Sequence, residues 1–378
     1  MTRMTRTSKK NNLIAKTLLL LTTILILCSV IIYLYPKPFV VAWFKTQYVV
    51  RDPGVKMLLV WRRGIGEREL GSRIIMVMQN LGVNVRFVCA YHGDSFYDKF
   101  IADKPALAAA TMQPDFILTI DRQVPAITAA PNFLVLDQSS SNYIYRDANN
   151  KLKLINNEHY KFTGLLPAFK EIEQLKEAYE TSGRDYVGFN WRPTVHRTGF
   201  KAQLPQKLFY PGGDISDDTR SKDKYIEVFR KLDQTGYFEV YGKADRWLHT
   251  PKSYRGSIPF DGVSMLKINN QAGITLIFHA RDHLDTGTPT GRIFEAVGAN
   301  TVVISDKNQF VIDHFGDNVL YLDVEQDAAG IFSQIDQHIQ WIFTHPQQAQ
   351  QMAERCYEIF MEKFTLEDQM QRLLDIAS

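Results

Sequence analysis

From Val55 onwards the chain alternates short apolar runs with longer amphipathic stretches, a rhythm that leaves few architectures open. Runs of four to eight apolar residues read as strands buried on both faces. The amphipathic stretches between them are long enough to be crossover helices, and strands joined in that way run parallel. The first such runs are 55–61, 83–90, 115–120 and 133–136, with helical spacing over 72–81 and 95–112 and a glycine-containing loop over 62–70. A charged helical stretch, 169–180, leads through Ser182 and Gly183 to a second set. There 186–189, 207–210, 237–241, 274–278 and 301–305 read as strands, and 222–232 and 264–271 as helices. The expected fold class is α/β in two units, 55–183 and 184–345. Residues 346–378 complete the chain as two helices, one opened by Pro346 and one capped by Thr365.

The chain begins differently. A basic tail, 1–16, precedes 17–35, a run without a charged residue that is long enough to span a hydrocarbon core of ~30 Å. The run lacks the small-x-small exit of a cleaved signal peptide, so it reads as a single uncleaved transmembrane anchor. Eleven Lys and Arg and one Asp lie at or before Arg63, whereas the whole chain carries a net charge of only +3. The body is therefore acidic, which argues against a nucleic-acid partner. Basic residues flank the apolar run on both sides, so flanking charge does not orient it. Cys89 and Cys356 read as core thiols, and the chain has no Asn-x-Ser/Thr sequence. These features favour a bacterial inner-membrane protein whose body lies on the cytoplasmic side.

Several common chemistries are excluded by pattern. Gly64-Ile65-Gly66 follows the first strand, but Glu69 stands where a dinucleotide fingerprint needs its third glycine. No Asp-x-Asp occurs, the three cysteines are isolated, and neither a Gly-x-Ser-x-Gly nor a Gly-Lys-Ser/Thr loop is present. No bound cofactor and no metal are expected.

One stretch carries a positive signal: Gly287–Asp306, GTPTGRIFEAVGANTVVISD. A loop of Gly, Thr and Pro runs into a helix start, where free backbone N–H groups and the positive end of the helix dipole suit phosphate oxygens. Glu295, one turn further on, is placed to accept hydrogen bonds from sugar hydroxyls. Tyr241-Gly242-Lys243, Ser253–Gly262 and His279–His283 each follow a strand or precede the helix that leads to the next. In an open parallel sheet such positions line the ligand crevice.

In order along the chain come Tyr-Gly-Lys (241–243), Gly-Ser-Ile-Pro (256–259), Ala-Gly-Ile-Thr-Leu (272–276), Pro-Thr-Gly-Arg-Ile-Phe-Glu-Ala (289–296) and Val-Val-Ile-Ser-Asp (302–306). This series resembles the donor half of group-one glycosyltransferases with the GT-B fold, over roughly 186–374. The resemblance implies two Rossmann-like domains facing each other, an acceptor domain followed by a nucleotide-sugar domain. It implies a metal-independent transferase that moves a sugar from a nucleotide-diphospho-sugar to a hydroxyl of a glycan, lipid-linked or polysaccharide acceptor. It also implies that Glu295 holds the donor ribose and that Thr288–Arg292 lie against the diphosphate. Many retaining members carry a further glutamate where this chain has Gly287, so the stereochemical outcome is open. The expected donor-site residues are Asn190, Arg192, Gly242, Lys243, His283, Thr288, Thr290, Gly291, Arg292 and Glu295. If transfer inverts the anomeric centre, His92 or Asp121, in loops of the first unit, would serve as base. Rival readings are a sugar-nucleotide or glycan binder without activity, motivated by Gly287, and a sugar-nucleotide epimerase of the same shape.

Overall fold

A computed structural model describes residues 54–62, 65–90, 105–120, 126–127, 129–138, 140–212 and 222–378. The first unit contains β1 (Lys56–Arg62), α1 (Ile65–Asn80), β2 (Asn84–Ala90), α2 (Pro105–Met112), β3 (Phe116–Thr119) and β4 (Asn132–Leu136). It continues through a small antiparallel pair, β5 (Ile144–Arg146) and β6 (Leu152–Leu154), to β7 (Gly164–Pro167) and α3 (Ile172–Glu180). Its main sheet is parallel, in the order β2-β1-β3-β4-β7. β1 lies inside the sheet, and Met57–Val60 are fully buried, which is why that run contains no polar alternation.

The second unit contains β8 (Lys207–Pro211), α4 (Lys222–Leu232), β9 (Phe238–Tyr241), α5 (Ser264–Ala272), β10 (Gly273–Ile277), α6 (Arg281–Thr286) and α7 (Gly291–Gly298). After these come β11 (Val302–Asp306), α8 (Gln309–Phe315), β12 (Leu320–Leu322), α9 (Ala328–Thr344), α10 (Pro346–Lys363) and α11 (Leu366–Ala377). Its sheet is also parallel, in the order β12-β11-β10-β8-β9. Chain direction across the sheet reverses between β8 and β10, and between β1 and β3 in the first sheet. A crevice opens beyond the strand ends at such points.

The two closing helices have different cores. Cys356 and Phe360 of α10 pack with Phe294 and Val303 of the second unit, and burial pushes the Cys356 thiol up to about 12. Leu366, Met370 and Leu373 of α11 pack instead with Met57, Leu59, Phe133 and Trp191 of the first unit. The chain thus crosses between the units twice, and the crossings are bonded together. Thr194 Oγ1 donates to Phe364 O at 2.6 Å, and Leu366 N donates to Val195 O at 2.9 Å. Thr365 caps α11, its Oγ1 accepting from Asp368 N and donating to Asp368 Oδ2.

Two sequence expectations are corrected. Residues 65–70 are helical, not loop, because α1 starts at Ile65. Gly71 within α1 serves packing: a β-carbon there would lie 2.6 Å from the Trp61 ring. Residues 186–189 form no strand. The segment runs beside β7, with Leu165 N donating to Val187 O at 2.9 Å and Trp191 N to Pro167 O at 2.7 Å. β7, the β5–β6 pair, β12 and α9 were not anticipated. The basic tail 1–16, the apolar run 17–35 and residues 95–104 lie outside the described residues. Among the described residues no helix is long and apolar enough to cross a membrane.

Candidate active site

A cleft of about 580 Å³ lies between the units. Glu69, Leu70 and Arg73 of α1, Ile120 after β3 and Asp137 after β4 form the wall from the first unit. Across from them stand Gly212, Gly242, Lys243, Arg246, Thr290, Gly291, Arg292 and Glu295, all at the carboxyl ends of strands or on α7. Aliphatic and aromatic groups from Ile258, Phe260 and Met265 complete the second wall.

The cationic end of the cleft is built on close backbone approach. Gly242 has φ +154°, and a β-carbon on it would sit 1.9 Å from Gly212 O. Only glycine lets these two strand ends meet there. The same Gly212 O accepts from Trp247 Nε1 at 2.8 Å, which ties the turn after β9 to the end of β8. Lys243 is exposed at the rim. Thr290 is the N-cap of α7, with extended dihedrals and no side-chain cap bond. The N–H groups of the first turn of a helix lack the usual partner four residues back and have the helix dipole behind them; in α7 that of Ile293 donates to Thr290 O at 3.2 Å. Arg292 lies across Tyr210, its Cζ 5.1 Å from the ring centroid and its Nη1 donating to the Tyr210 hydroxyl at 3.1 Å. This end therefore offers two or more side-chain cations and backbone donors together, an arrangement suited to a diphosphate.

Glu295 faces the cleft one turn along α7, but its Oε1 is already engaged. Arg73 Nη1 donates to it at 2.9 Å, across the boundary between the units. Arg73 Nη2 donates to Glu69 Oε1 at 2.9 Å, and Glu69 Oε2 accepts from Gly262 N at 3.1 Å. Burial raises the Glu69 carboxyl above the ordinary carboxylate range, against the pull of Arg73 and the Gly262 N–H.

The other expected residues fall in two groups. Gly242, Lys243, Thr290, Gly291, Arg292 and Glu295 come together in the cleft. Asn190, Arg192, His283 and Thr288 are not among the residues that line it. The Arg192 guanidinium donates to Asn190 Oδ1, Ala168 O and Trp191 O and lies over the Phe310 ring at 5.1 Å. Burial lowers it to about 10. The Arg192 backbone is bonded both ways to the Gln369 amide, so Asn190 and Arg192 brace the crossing of the chain rather than the cleft. Thr288 is buried, and its carbonyl and that of His283 both accept from Asn308 Nδ2 at 3.0 Å. These two residues hold the shape of the loop before α7. In the same region the buried His279 gives its backbone N–H and ring Nδ1 to the two Asp306 oxygens, at 2.7 and 2.5 Å. His92 and Asp121 lie outside the described residues, although Ile120 lines the cleft. Sequence reasoning missed Glu69, Arg73, Asp137, Tyr210 and Arg246. Asp137 directly follows an expected strand, and the strand-end rule applied there would have found it.

Gly287 has a structural reason of its own. It ends α6 at φ +65°, and a β-carbon would lie 3.2 Å from Gln309 Cβ. A glutamate at this position would be strained by the backbone and crowded by α8.

Residues 222–375 match the family described as glycosyl transferase-like. No curated protein matches the chain. Among solved structures, a glycosyltransferase from Rickettsia africae ESF-5 is similar at 12% identity over 86% of this chain and 98% of that one, with a TM-score of 0.51. A sucrose-phosphate synthase from Thermosynechococcus elongatus is similar at 13% identity over 86% and 100%, with a TM-score of 0.48. Over 222–375 the chain thus matches a glycosyl transferase-like family, and its paired parallel sheets meeting at an interdomain cleft have the GT-B fold of glycosyltransferases.

Proposed function

We propose that the protein transfers a glycosyl group from a nucleotide-diphospho-sugar to a hydroxyl of a glycan or lipid-linked acceptor. The observation that carries this reading is the convergence of Arg292, Lys243, Arg246 and the start of α7 with Glu295 in one cleft. The cations and N–H groups would take the diphosphate, and Glu295 would take ribose hydroxyls. In the reaction the bond from the anomeric carbon to the diphosphate oxygen breaks and a bond from the acceptor oxygen to that carbon forms. Arg292 and the helix N–H groups stabilise the charge that collects on the departing diphosphate. The acceptor proton needs a base if transfer inverts the anomeric centre. Asp137, which follows β4, lines the cleft from the first unit and is a candidate for that base; His92 and Asp121, the bases suggested by the sequence, lie outside the described residues. The decisive experiment is incubation of the full chain with a panel of nucleotide sugars, reading release of nucleoside diphosphate. Failure of every donor to bind or turn over would overturn the reading. Release of a new free sugar nucleotide instead would mark an epimerase.

The sequence supports a single-pass anchor at 17–35 in a bacterial inner membrane, with the catalytic body on the cytoplasmic side. That is where nucleotide sugars would be available. Protease should digest the body in sealed inside-out vesicles, and a protected body would contradict this placement.

A further inference from the structure

Arg73 belongs to the wall opposite the donor residues, yet it is the group that grips Glu295. Its side chain is 3% exposed, and all three guanidinium nitrogens are used. Nε donates to Gly262 O at 3.3 Å, Nη1 to Glu295 Oε1 and Nη2 to Glu69 Oε1, each of the latter at 2.9 Å. Glu69 in turn holds Gly262 N, so α1 is bonded to both the 258–263 turn and α7 of the second unit. A carboxylate offers about four acceptor sites. Among the described residues only Arg73 uses one on Glu295, at Oε1, and Glu295 lines the cleft. Glu295 has three rotatable side-chain bonds, and Arg73 is the contact that removes their freedom.

We infer that Arg73 is a positioning residue for the donor: it orients the Glu295 carboxylate so that Oε2 meets the ribose. It acts from the opposite domain, so the ribose clamp is complete only when the two domains are closed on each other. This rests on the proposed function, in which Glu295 contacts ribose. It adds that donor affinity depends on a residue that touches no part of the donor. A planar guanidinium suits the task because one group must reach three acceptors in fixed directions, which a lysine ammonium on a flexible stem does not do.

The test uses isothermal titration of the full chain in detergent with uridine, guanosine and thymidine diphosphates, and with inorganic pyrophosphate, which has no ribose. Wild type, Arg73→Gln, Glu295→Gln, the double variant and Ser72→Ala are compared. Ser72 Oγ donates to Phe260 O at 3.2 Å across the same boundary, so its variant loosens the interface without touching Arg73. Arg73→Gln should weaken the nucleoside diphosphate that wild type binds by about tenfold, the scale of one charge-assisted hydrogen bond. Pyrophosphate affinity should change less than about twofold, since the variant leaves Arg292 and the α7 start in place. The double variant should be no weaker than Glu295→Gln, and Ser72→Ala should bind like wild type. If Arg73→Gln does not fold, Arg73→Lys replaces it and should show a smaller loss with the same selectivity for the ribose-bearing ligand. If Glu295→Gln binds nucleoside diphosphate as wild type does, or wild type binds none, the donor-site reading itself falls. If Glu295→Gln weakens binding but the Arg73 variant does not, or if it weakens pyrophosphate equally, the positioning role is overturned.

Discussion

Tyr210 holds Arg292 in two ways at once, with its ring under the guanidinium at 5.1 Å and its hydroxyl accepting from Nη1 at 3.1 Å. Tyr210 is fully buried among Phe229, Trp247 and Phe278, so it is a rigid platform. Arg292 is therefore presented to the cleft with little freedom left to lose on binding. Arg292→Lys should lose the stacked, forked geometry and weaken nucleoside diphosphate binding by about ten- to a hundredfold, at nearly unchanged melting temperature. Gly212→Ala should mimic it, because a β-carbon there would lie 2.3 Å from Arg292 Nη2 and push the guanidinium away. Titration with the same nucleoside diphosphate checks both, and wild-type affinity in Arg292→Lys would remove Arg292 from the diphosphate site.

The meeting of Gly212 and Gly242 makes a separate prediction about stability. Gly242→Ala forces a β-carbon to 1.9 Å from Gly212 O and 2.8 Å from Trp247 Nε1, at a backbone φ that side chains rarely adopt. The strand ends must separate or the turn must rebuild, at a cost of about 3 kcal/mol or more. Gly236→Ala is the control. Its φ is +75° and nothing lies within 4 Å of the added carbon, so it should cost only about 1 kcal/mol. Thermal melts of the two variants should differ by several degrees, and equal melts would show that the Gly212 contact is unimportant.

Those contacts mark the limit of what the sequence made legible. Fully apolar runs such as Leu58-Leu59-Val60 and Val302-Val303-Ile304 announce central parallel strands, because both of their faces are covered. Short strands that lack such runs, β5, β6 and β12, carry no periodicity long enough to read. Gly64 and Gly66 made the start of α1 read as a loop, and local composition likewise does not reveal that Trp61 requires the space at Gly71. The site divides in the same way. Thr290, Arg292 and Glu295 lie in one continuous motif and were recognisable. Arg73 is separated from Glu295 by more than two hundred positions, and only folding brings them together. Arg192 was misplaced because a cation after a strand looks like a ligand until its partners Asn190, Ala168 and Phe310 are known.

The source of positive charge in the cleft predicts how activity responds to chelation. Lys243, Arg246 and Arg292 stand with the first turn of α7 where a diphosphate would lie. Together they can offset most of the charge of a departing nucleoside diphosphate. Transfer should therefore persist in excess EDTA, within about twofold of the untreated rate, an allowance for ionic-strength effects on exposed groups. Activity that disappears with EDTA and returns with manganese would show that the cations alone do not suffice.

His196 gives the protein a predictable response to acid. It lies on the first crossing between the units, with Nδ1 buried and without a hydrogen-bond partner among the described residues. Burial, reinforced by the nearby Arg73 charge, lowers it from the ordinary 6.5 to about 4. The folded protein thus binds fewer protons at this site than the unfolded chain does between those two values. The stability it contributes is fully present above pH 6.5 and is lost progressively as pH falls towards 4. Because the ring is partly exposed, solvent screening reduces the full linkage energy to about 1–2 kcal/mol. Glu69 works in the opposite direction: its raised carboxyl favours the folded state at low pH and loses that contribution as pH rises. A melt of wild type alone would mix the two effects, so the informative quantity is the difference between wild type and His196→Gln. Glutamine is polar and does not titrate, so Glu69 contributes equally to both proteins and cancels. Between pH 7 and pH 4 the variant should gain about 1–2 kcal/mol relative to wild type, read from urea unfolding at each pH. A difference that stays constant across that range would show that His196 titrates alike in the folded and unfolded chain.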